Sequence, residues 1–268
     1  GTLGIISAAV LKLFPRPRAQ VVTFAAVRDP DAAVALLGCL REHCGDSVTA
    51  FELISRSCIE LLLAHIPGTR DPLAGKHEWY VLTELGDAGD EAALQARVEA
   101  ALTHASEQDW GIDAALAATQ AQAAAFWKMR ESIPDAAKVA GLVYRHDISV
   151  AASKVPEFIR RAGAALESAF PGTHVICFGH LGDGNLHYNV AAPTGTDAEA
   201  MARGATDVNR VVHDVITSLD GSISAEHGIG VSKRDELARC KDPLELELMR
   251  SVKQALDPHG LMNPGKIF

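Results

Sequence analysis

The chain has few cysteines, no long apolar run and no excess of basic residues, and each of these shortages excludes a class of protein. No apolar stretch approaches the roughly 20 residues that cross a bilayer, so we expect no transmembrane segment. The five cysteines are odd in number and form no CxxC pair, which argues against a disulfide framework or a cysteine zinc site. We therefore expect a reducing compartment and a cytoplasmic location. Membrane-peripheral attachment and, in a eukaryote, a mitochondrial compartment are the alternatives.

Acidic residues outnumber basic ones by 34 to 25, and the formal net charge is −9 at pH 7. A surface of this charge repels phosphate backbones and anionic lipid headgroups, so we expect no nucleic-acid partner. A small charged metabolite can still bind at a local site. With 268 residues, of which 48% are hydrophobic, the chain is long enough for one large domain or two small ones.

Strand-like and helix-like segments alternate along the sequence. The predicted strands are 20–27, 47–55, 78–86, 144–151, 173–179 and 186–191. The predicted helices are 29–44, 55–65, 90–107, 114–131, 153–169, 197–219 and 243–256. This order predicts an α+β fold, in which a ferredoxin-like antiparallel sheet carries helices on one face and a helical segment follows at the C-terminus.

The first residues, "GTLGIISAAVLKLFPRP", predict a turn and an apolar strand that ends at Pro15 and Pro17. Because this strand opens abruptly and no initiator Met precedes it, we expect the chain to be a fragment of a longer protein. We divide it into residues 1–18, which end an upstream domain and form a linker, a main domain at 19–219 and a C-terminal segment at 220–268.

A glycine-rich stretch, "FGHLGDGNLHYN" at 178–189, contains two histidines on either side of Asp183-Gly184. Asp-Gly between two apolar runs predicts a two-residue hairpin turn. In that register His180 lies directly opposite His187, close enough for both imidazoles to bind one metal ion. Asn189 falls on the same face. The alternative is a simple turn with two incidental histidines.

A second cluster, "SISAEHGIGVSK" at 222–233, contains Glu226 and His227 at the end of a short extended segment. Adjacent strand residues point to opposite faces unless the chain turns, so the two side chains are expected to have different roles. Two histidines and a carboxylate are a common ligand set for zinc or another divalent ion. A further histidine beside such a site suits a general base. The alternative is a capping glutamate and a surface histidine.

Two arginines, Arg130 and Arg145, lie in the stretch 126–149. Arg130 is expected near the end of a helix that Pro134 breaks, and Arg145 at the start of a strand. The planar guanidinium pairs with a carboxylate through two parallel hydrogen bonds, so either residue could bind an acidic substrate. An exposed surface charge is the alternative for each arginine.

The ordered motifs "GTLGII", "DISV", "GHLGDGNLHYNV", "SAEHGIG" and "LDPHGLMNPGKIF" resemble the C-terminal half of the FAD-linked D-2-hydroxy acid dehydrogenases. This family includes D-lactate, D-2-hydroxyglutarate and glycolate-oxidising members. The resemblance implies that residues 1–14 end an FAD-binding domain, most of which is missing. It implies a flavin-dependent oxidation of a 2-hydroxy acid such as D-2-hydroxyglutarate or D-lactate, an electron acceptor of unknown kind and a possible homodimer. The fragment alone is then expected to be inactive.

The resemblance also implies roles for single residues. His180, His187 and Glu226 match the positions that bind a divalent metal, usually zinc, and His227 matches the proposed base. Substrate-binding positions of the family match Asn189, Arg130 and Arg145, the two arginines at the acidic end of a dicarboxylate. Gly1, Gly4 and Asn263 match segments that approach the cofactor. The chain departs from the D-2-hydroxyglutarate pattern at Pro134, where a hydroxyl residue is expected, and at Arg145, where a lysine is expected.

Two other classes of protein fit the same residues. A zinc hydrolase also uses two histidines, a glutamate and a neighbouring base on bound water, and it needs no flavin. A non-catalytic module would use the metal only for stability, but such a site is closed by a fourth protein ligand, and neither motif offers one.

Overall fold

The computed structural model describes residues 1–141 and 143–268. The strands are β1 (Ala19–Val27), β2 (Val48–Ser55), β3 (Trp79–Asp87), β4 (Gly111–Leu116), β5 (Val143–Tyr144), β6 (Asp147–Ser149), β7 (His174–His180) and β8 (Asn185–Ala191). The helices are α1 (Pro30–Cys44), α2 (Arg56–His65), α3 (Glu91–Glu107), α4 (Gln120–Ala140), α5 (Val155–Ala169), α6 (Ala198–Ser218), α7 (Arg234–Cys240) and α8 (Pro243–Leu256). The α+β class and the antiparallel sheet predicted from the sequence are confirmed.

The eight strands form one sheet in the order β4-β1-β3-β2-β7-β8-β5, with β6 paired to β8. The order β4-β1-β3-β2, with α1 and α3 as connections, is the ferredoxin-like arrangement. A second, incomplete unit of the same kind follows, because α5 connects β6 to β7, and β8 lies between them. The units join where β2 pairs antiparallel with β7.

Helices cover both faces of this sheet, which corrects the expected arrangement on one face. Alternate residues of β1 belong to separate apolar clusters, Val21 and Ala25 to one and Val22 and Phe24 to the other. The first cluster includes residues of α1, α3, α5 and α6, and the second includes residues of α2 and α4. A strand that is buried on both sides reads as an apolar run without alternation, so the sequence pattern does not report the second layer.

Two element predictions are wrong in the structure. The expected helix at 114–131 is replaced by strand β4 and by α4, which continues through Pro134. The proline removes one hydrogen bond of the helix, but Ile133 and Ala136 on either side of it are fully buried against the sheet and stabilise the helix there. Residues 1–18 form no strand, and Ile5 and Ile6 are exposed, because no described strand pairs with them.

The turn between β7 and β8 also differs from the prediction. His187 pairs with Phe178, two positions away from the expected partner His180. A two-residue type I′ turn needs positive φ at both central residues, whereas here only Gly184 has it, at φ 70°. Residues 181–183 instead form a single 3₁₀ turn, so the connection is longer than predicted. A shift of two residues preserves the face, and His180, His187 and Asn189 lie on the same side of the sheet, as expected.

Replacing Gly184 with alanine is expected to destabilise the fold by about 2–5 kcal/mol, because two penalties combine. The left-handed backbone disfavours a side chain, and an added Cβ would lie 1.8 Å from the Val150 carbonyl oxygen. Gly195 is the matched control, since it has φ 90° but open space around it. Urea denaturation of both variants measures the difference, and an equal loss of stability would show that the contact with Val150 is unimportant.

Candidate functional site

The candidate site lies at the start of β6, the end of β7 and the first residues of β8, on the sheet face that also carries α2 and α4. Glu52 and His180 are directly paired between β2 and β7, and Asp147 and His187 between β6 and β8. Directly paired residues have neighbouring side chains on one face. The loop after Ser222, which contains Glu226, completes the site from the open side.

The buried carboxylate of Asp147 fixes this loop. Its Oδ2 accepts hydrogen bonds from the backbone N–H groups of Glu226 and His227, at 2.9 and 2.8 Å, and from that of Ala225 at 3.2 Å. The chain bends around the carboxylate, so Glu226 and His227 both reach the site even though they are adjacent in sequence. The turn allowed for in the sequence interpretation is therefore present.

The Asp147 carboxylate is buried, yet its surroundings favour the charged form. Burial raises the pKa of its carboxyl group, but the N–H groups of His227 and Glu226 and the cation of Lys233 outweigh this, and the net pKa is lowered. The second oxygen, Oδ1, is buried and has no hydrogen-bond partner among the described residues. A buried anionic oxygen without a partner is costly, and a cation would satisfy it.

Three side chains present potential metal ligands to one point. Asp147, His187 and His227 each offer one ligand atom, and these atoms all lie within 4.8 Å of one another. The rings of His187 and His227 are stacked with their centroids 5.7 Å apart. Burial, together with the nearby Arg130 cation, lowers the pKa of His187, which favours the neutral imidazole that binds metals.

A second pair of ligand atoms lies between the loop and β7. His180 Nε2 is 3.5 Å from Glu226 Oε1, and that oxygen also accepts a 2.6 Å hydrogen bond from Asn185 Nδ2. On its other side His180 Nδ1 is 2.5 Å from Glu52 Oε1. The predicted ligands His180 and Glu226 thus face each other, while His187 belongs to the group with Asp147 and His227.

Arg130 extends from α4 toward the same face. Its Nε donates a 2.7 Å hydrogen bond to Glu52 Oε2, and its guanidinium carbon lies 4.8 Å from the centroid of the Phe178 ring. Phe178 in turn contacts the ring of His187. The terminal Nη atoms of Arg130 make no hydrogen bond to any described residue, and neither of them is a fully buried atom. They remain available for a ligand.

The other predicted binding residues make no hydrogen bond to the metal-ligand side chains among the described residues. Asn189 is buried two positions along β8 from His187 and faces the same side. Arg145 is exposed between β5 and β6, without an ion pair to the described residues. Asn263 donates a 2.6 Å hydrogen bond to the Gly1 carbonyl, so these two residues meet, whereas open space surrounds the Gly4 Cα.

Sequence reasoning did not identify Glu52 and Asp147 as site residues. Glu52 is a lone charged residue within the buried apolar strand "VTAFELIS", and that contrast was a usable signal. Asp147 opens an apolar strand in the same way. His213 is buried and contacts Glu236 at 3.0 Å. His146 is buried beside it, and burial and the neighbouring His213 lower the pKa of His146 to about 4.

A divalent cation fits this set of side chains. The ligand atoms form two groups, Asp147 with His187 and His227, and His180 with Glu226, and zinc, manganese and similar ions prefer such nitrogen and oxygen ligands. The unpartnered Oδ1 of Asp147 is the observation that points most directly to a bound cation. Exposed fractions of 43% for His180, 47% for Glu226 and 64% for His227 leave room for a small substrate beside it.

Comparison with known proteins places the chain in a family. Residues 16–267 match the family described as FAD linked oxidases, C-terminal domain. D-2-hydroxyglutarate dehydrogenase of Xanthomonas citri pv. viticola is 38% identical over 268 residues, which are 100% of this chain and 55% of that protein. The mitochondrial D-2-hydroxyglutarate dehydrogenase of Arabidopsis thaliana is 32% identical over 100% of this chain and 46% of its own length. The chain spans about half the length of these relatives.

Solved structures support the fold. A p-cresol methylhydroxylase with substrate bound aligns with a TM-score of 0.64 and 14% identity, over 94% of this chain and 53% of that one. An alkyldihydroxyacetonephosphate synthase aligns with a TM-score of 0.65 and 15% identity, over 98% of this chain and 48% of that one. Within residues 1–141 and 143–268, no helix has the length and apolar character needed to cross a bilayer.

Proposed function

This chain belongs to the family of FAD linked oxidases, C-terminal domain, and on that premise we propose that it is the substrate-binding half of a flavin-dependent dehydrogenase. The proposed reaction oxidises a D-2-hydroxy acid, with D-2-hydroxyglutarate as the first candidate, to the 2-oxo acid. The relatives named D-2-hydroxyglutarate dehydrogenase support this substrate class. The proposed division is an upstream flavin domain ending in residues 1–18, a substrate domain at 19–219 and a segment at 220–268 that approaches the flavin.

One observation carries the proposal. The bend around Asp147 brings His227 beside His187, at 5.7 Å between ring centroids, and brings Glu226 to 3.5 Å from His180. A cluster of metal ligands with an exposed histidine next to it is the arrangement that proton removal from a bound alcohol requires. The proposed ligands are His180, His187 and Glu226, and Asp147 offers a further carboxylate to the same cation.

A flavin held mainly by the upstream domain and a divalent cation held by this chain would supply part of the chemistry. When bound, FAD supplies the acceptor for two electrons and the Cα hydrogen, and a divalent cation supplies a Lewis acid that acidifies the substrate hydroxyl. His227 accepts the hydroxyl proton, and its exposed ring can then release that proton to solvent. Arg130 and Arg145 bind the distal carboxylate, and Asn189 contacts the substrate from β8.

Arg130 is expected to determine the preference for dicarboxylates. Its Nη atoms are free to bind a distal carboxylate because Glu52 engages only Nε. We expect Arg130→Met to lower kcat/KM for D-2-hydroxyglutarate about 10- to 100-fold more than kcat/KM for D-lactate, the value of a charge-assisted hydrogen-bonded pair, because both acids share the effect of the lost Glu52 contact and only the dicarboxylate loses a distal one. A dye-reduction assay of the full-length protein with both acids measures this ratio.

The control for this variant is Arg70→Met, which replaces an arginine away from the site and should leave both values unchanged. An equal loss for both acids in Arg130→Met would mean that Arg130 supports the fold and not the selectivity. The same dye-reduction assay also distinguishes the proposed dehydrogenase from a zinc hydrolase. A hydrolase would not transfer electrons from any 2-hydroxy acid to the dye, and it would show no flavin absorbance.

A further inference from the structure

We infer that Glu52 is a positioning residue that determines which nitrogen of His180 is free to bind the metal. This inference rests on the proposed function, because it concerns the same metal site. Glu52 is 1% exposed, lies in the middle of β2 and sits directly opposite His180 across the β2–β7 pairing. A buried charge of this kind is retained only where each of its oxygens has a partner.

The two oxygens of Glu52 have separate partners. Oε2 accepts from Arg130 Nε at 2.7 Å, and Oε1 lies 2.5 Å from His180 Nδ1. Two lone pairs cannot approach this closely without a proton between them, so Nδ1 carries the proton. Since a neutral imidazole has one N–H and one acceptor nitrogen, Nε2 is left with its lone pair. Nε2 is also the atom that faces Glu226.

A carboxylate, and not an amide, is required for this arrangement. Arg130 and His180 both donate, so the side chain between them must accept on both ends. The side-chain amide of glutamine has one oxygen that accepts and one NH₂ group that only donates. In Glu52→Gln the charged Arg130 takes the oxygen, because charge-assisted hydrogen bonds are the stronger ones. The amide then faces Nδ1 of His180, and the imidazole proton moves to Nε2, where it blocks the metal.

The test is the affinity of the full-length, flavin-loaded protein for Zn²⁺, measured by competition with a chromophoric chelator. We expect Glu52→Gln to weaken Zn²⁺ binding about 10- to 100-fold, as loss of a group that orients a metal ligand does, while flavin absorbance stays unchanged. Glu84→Gln is the matched control. Glu84 lies on the neighbouring strand β3 and accepts from Trp127 of the same helix α4 at 2.7 Å, and its variant should bind Zn²⁺ like the parent protein.

Two double variants, in which both Glu52 and Arg130 are replaced by uncharged residues, test whether the proton on His180 Nδ1 matters. Because both charges are removed together, neither variant leaves Arg130 buried without a partner. In Glu52→Gln/Arg130→Met the amide is free to rotate, its oxygen accepts from Nδ1, and Zn²⁺ affinity recovers most of the loss. In Glu52→Leu/Arg130→Met nothing accepts from Nδ1, and the affinity stays low. Both variants remove the buried charges together, which folded proteins tolerate well, so both are expected to fold.

Three results would overturn the inference. Equal Zn²⁺ affinity in the two uncharged variants would show that the acceptor for Nδ1 does not matter, and so would parent-like affinity in Glu52→Gln. In both cases the metal site and the proposed function stand. Failure of the parent protein itself to bind Zn²⁺ or Mn²⁺ would overturn the inference together with the proposed metal site.

Discussion

Replacing His227 with glutamine is expected to lower kcat of the flavin-loaded full-length protein by about 10²- to 10⁴-fold, the usual contribution of a general base. His227 is 64% exposed and touches the described chain mainly through its backbone N–H, which donates to Asp147 at 2.8 Å, and through stacking on His187. Glutamine retains the backbone hydrogen bond but cannot accept a proton near neutral pH. The loss should therefore appear in turnover, with flavin content preserved.

Stopped-flow measurement of flavin reduction by D-2-hydroxyglutarate reports directly on the oxidation step in which His227 acts as base. His174→Ala is the control, because His174 is an exposed histidine on the same sheet, at the start of β7, and has no part in the site. A second signature is pH dependence. If proton removal by His227 limits the rate, raising the pH should partly restore reduction in the glutamine variant, since hydroxide then replaces the base. Unchanged reduction in this variant would exclude His227 as the base.

Removing the metal is expected to have an effect of similar size. Lewis-acid stabilisation of a developing alkoxide contributes several kcal/mol, and each 1.36 kcal/mol corresponds to a factor of ten in rate. We expect dialysis against a strong chelator to lower flavin reduction by about 10³-fold or more. Zn²⁺ or Mn²⁺ should restore it. His187→Ala should give the same loss without rescue, because the imidazole that pairs with Asp147 across β6 and β8 is then absent.

Metal content is measured alongside the rate, by elemental analysis of the same samples. His104→Ala is a suitable control, because His104 lies on α3, on the opposite face of the sheet. The chelated protein should keep its flavin, since the flavin is expected to be bound mainly by the upstream domain. Full activity of protein that contains no metal would contradict the proposed ligand roles of His180, His187 and Glu226.

Local sequence patterns predicted most of the elements but not the second layer of helices. The helix at 29–44 and the strand at 20–27 were correct within a residue, because caps and apolar spacing are encoded locally. The position of α4 over the sheet was missed, because it depends on partners such as Glu52 that are 78 residues away from Arg130. Its alanines also led to a helix prediction over β4, where pairing with β1 overrides helix propensity.

The sequence predicted which types of residue form the candidate site, but it did not predict how the strands that carry them pair. The two histidine motifs and the arginines were visible in the sequence, as was the shared face of His180, His187 and Asn189. The hairpin register was wrong because residues 181–183 form a 3₁₀ turn in place of the two-residue turn. Beside that turn Gly179, at φ 151°, lies so close to Asn185 that an added Cβ would be 2.5 Å from its carbonyl oxygen. Such close approaches between backbones leave no signal beyond a glycine. The roles of Asp147 and Glu52 depend on pairings across the sheet.

We propose that this chain, together with an upstream flavin domain, oxidises a D-2-hydroxy acid at a metal site formed by its own histidines and carboxylates. The most direct test is anaerobic mixing of the oxidised full-length protein with one equivalent of D-2-hydroxyglutarate, with flavin absorbance as the readout. We predict rapid bleaching in the metal-loaded protein, with none for the L-enantiomer and none after chelation. Equal bleaching with and without metal, or no bleaching by any D-2-hydroxy acid, would contradict the account.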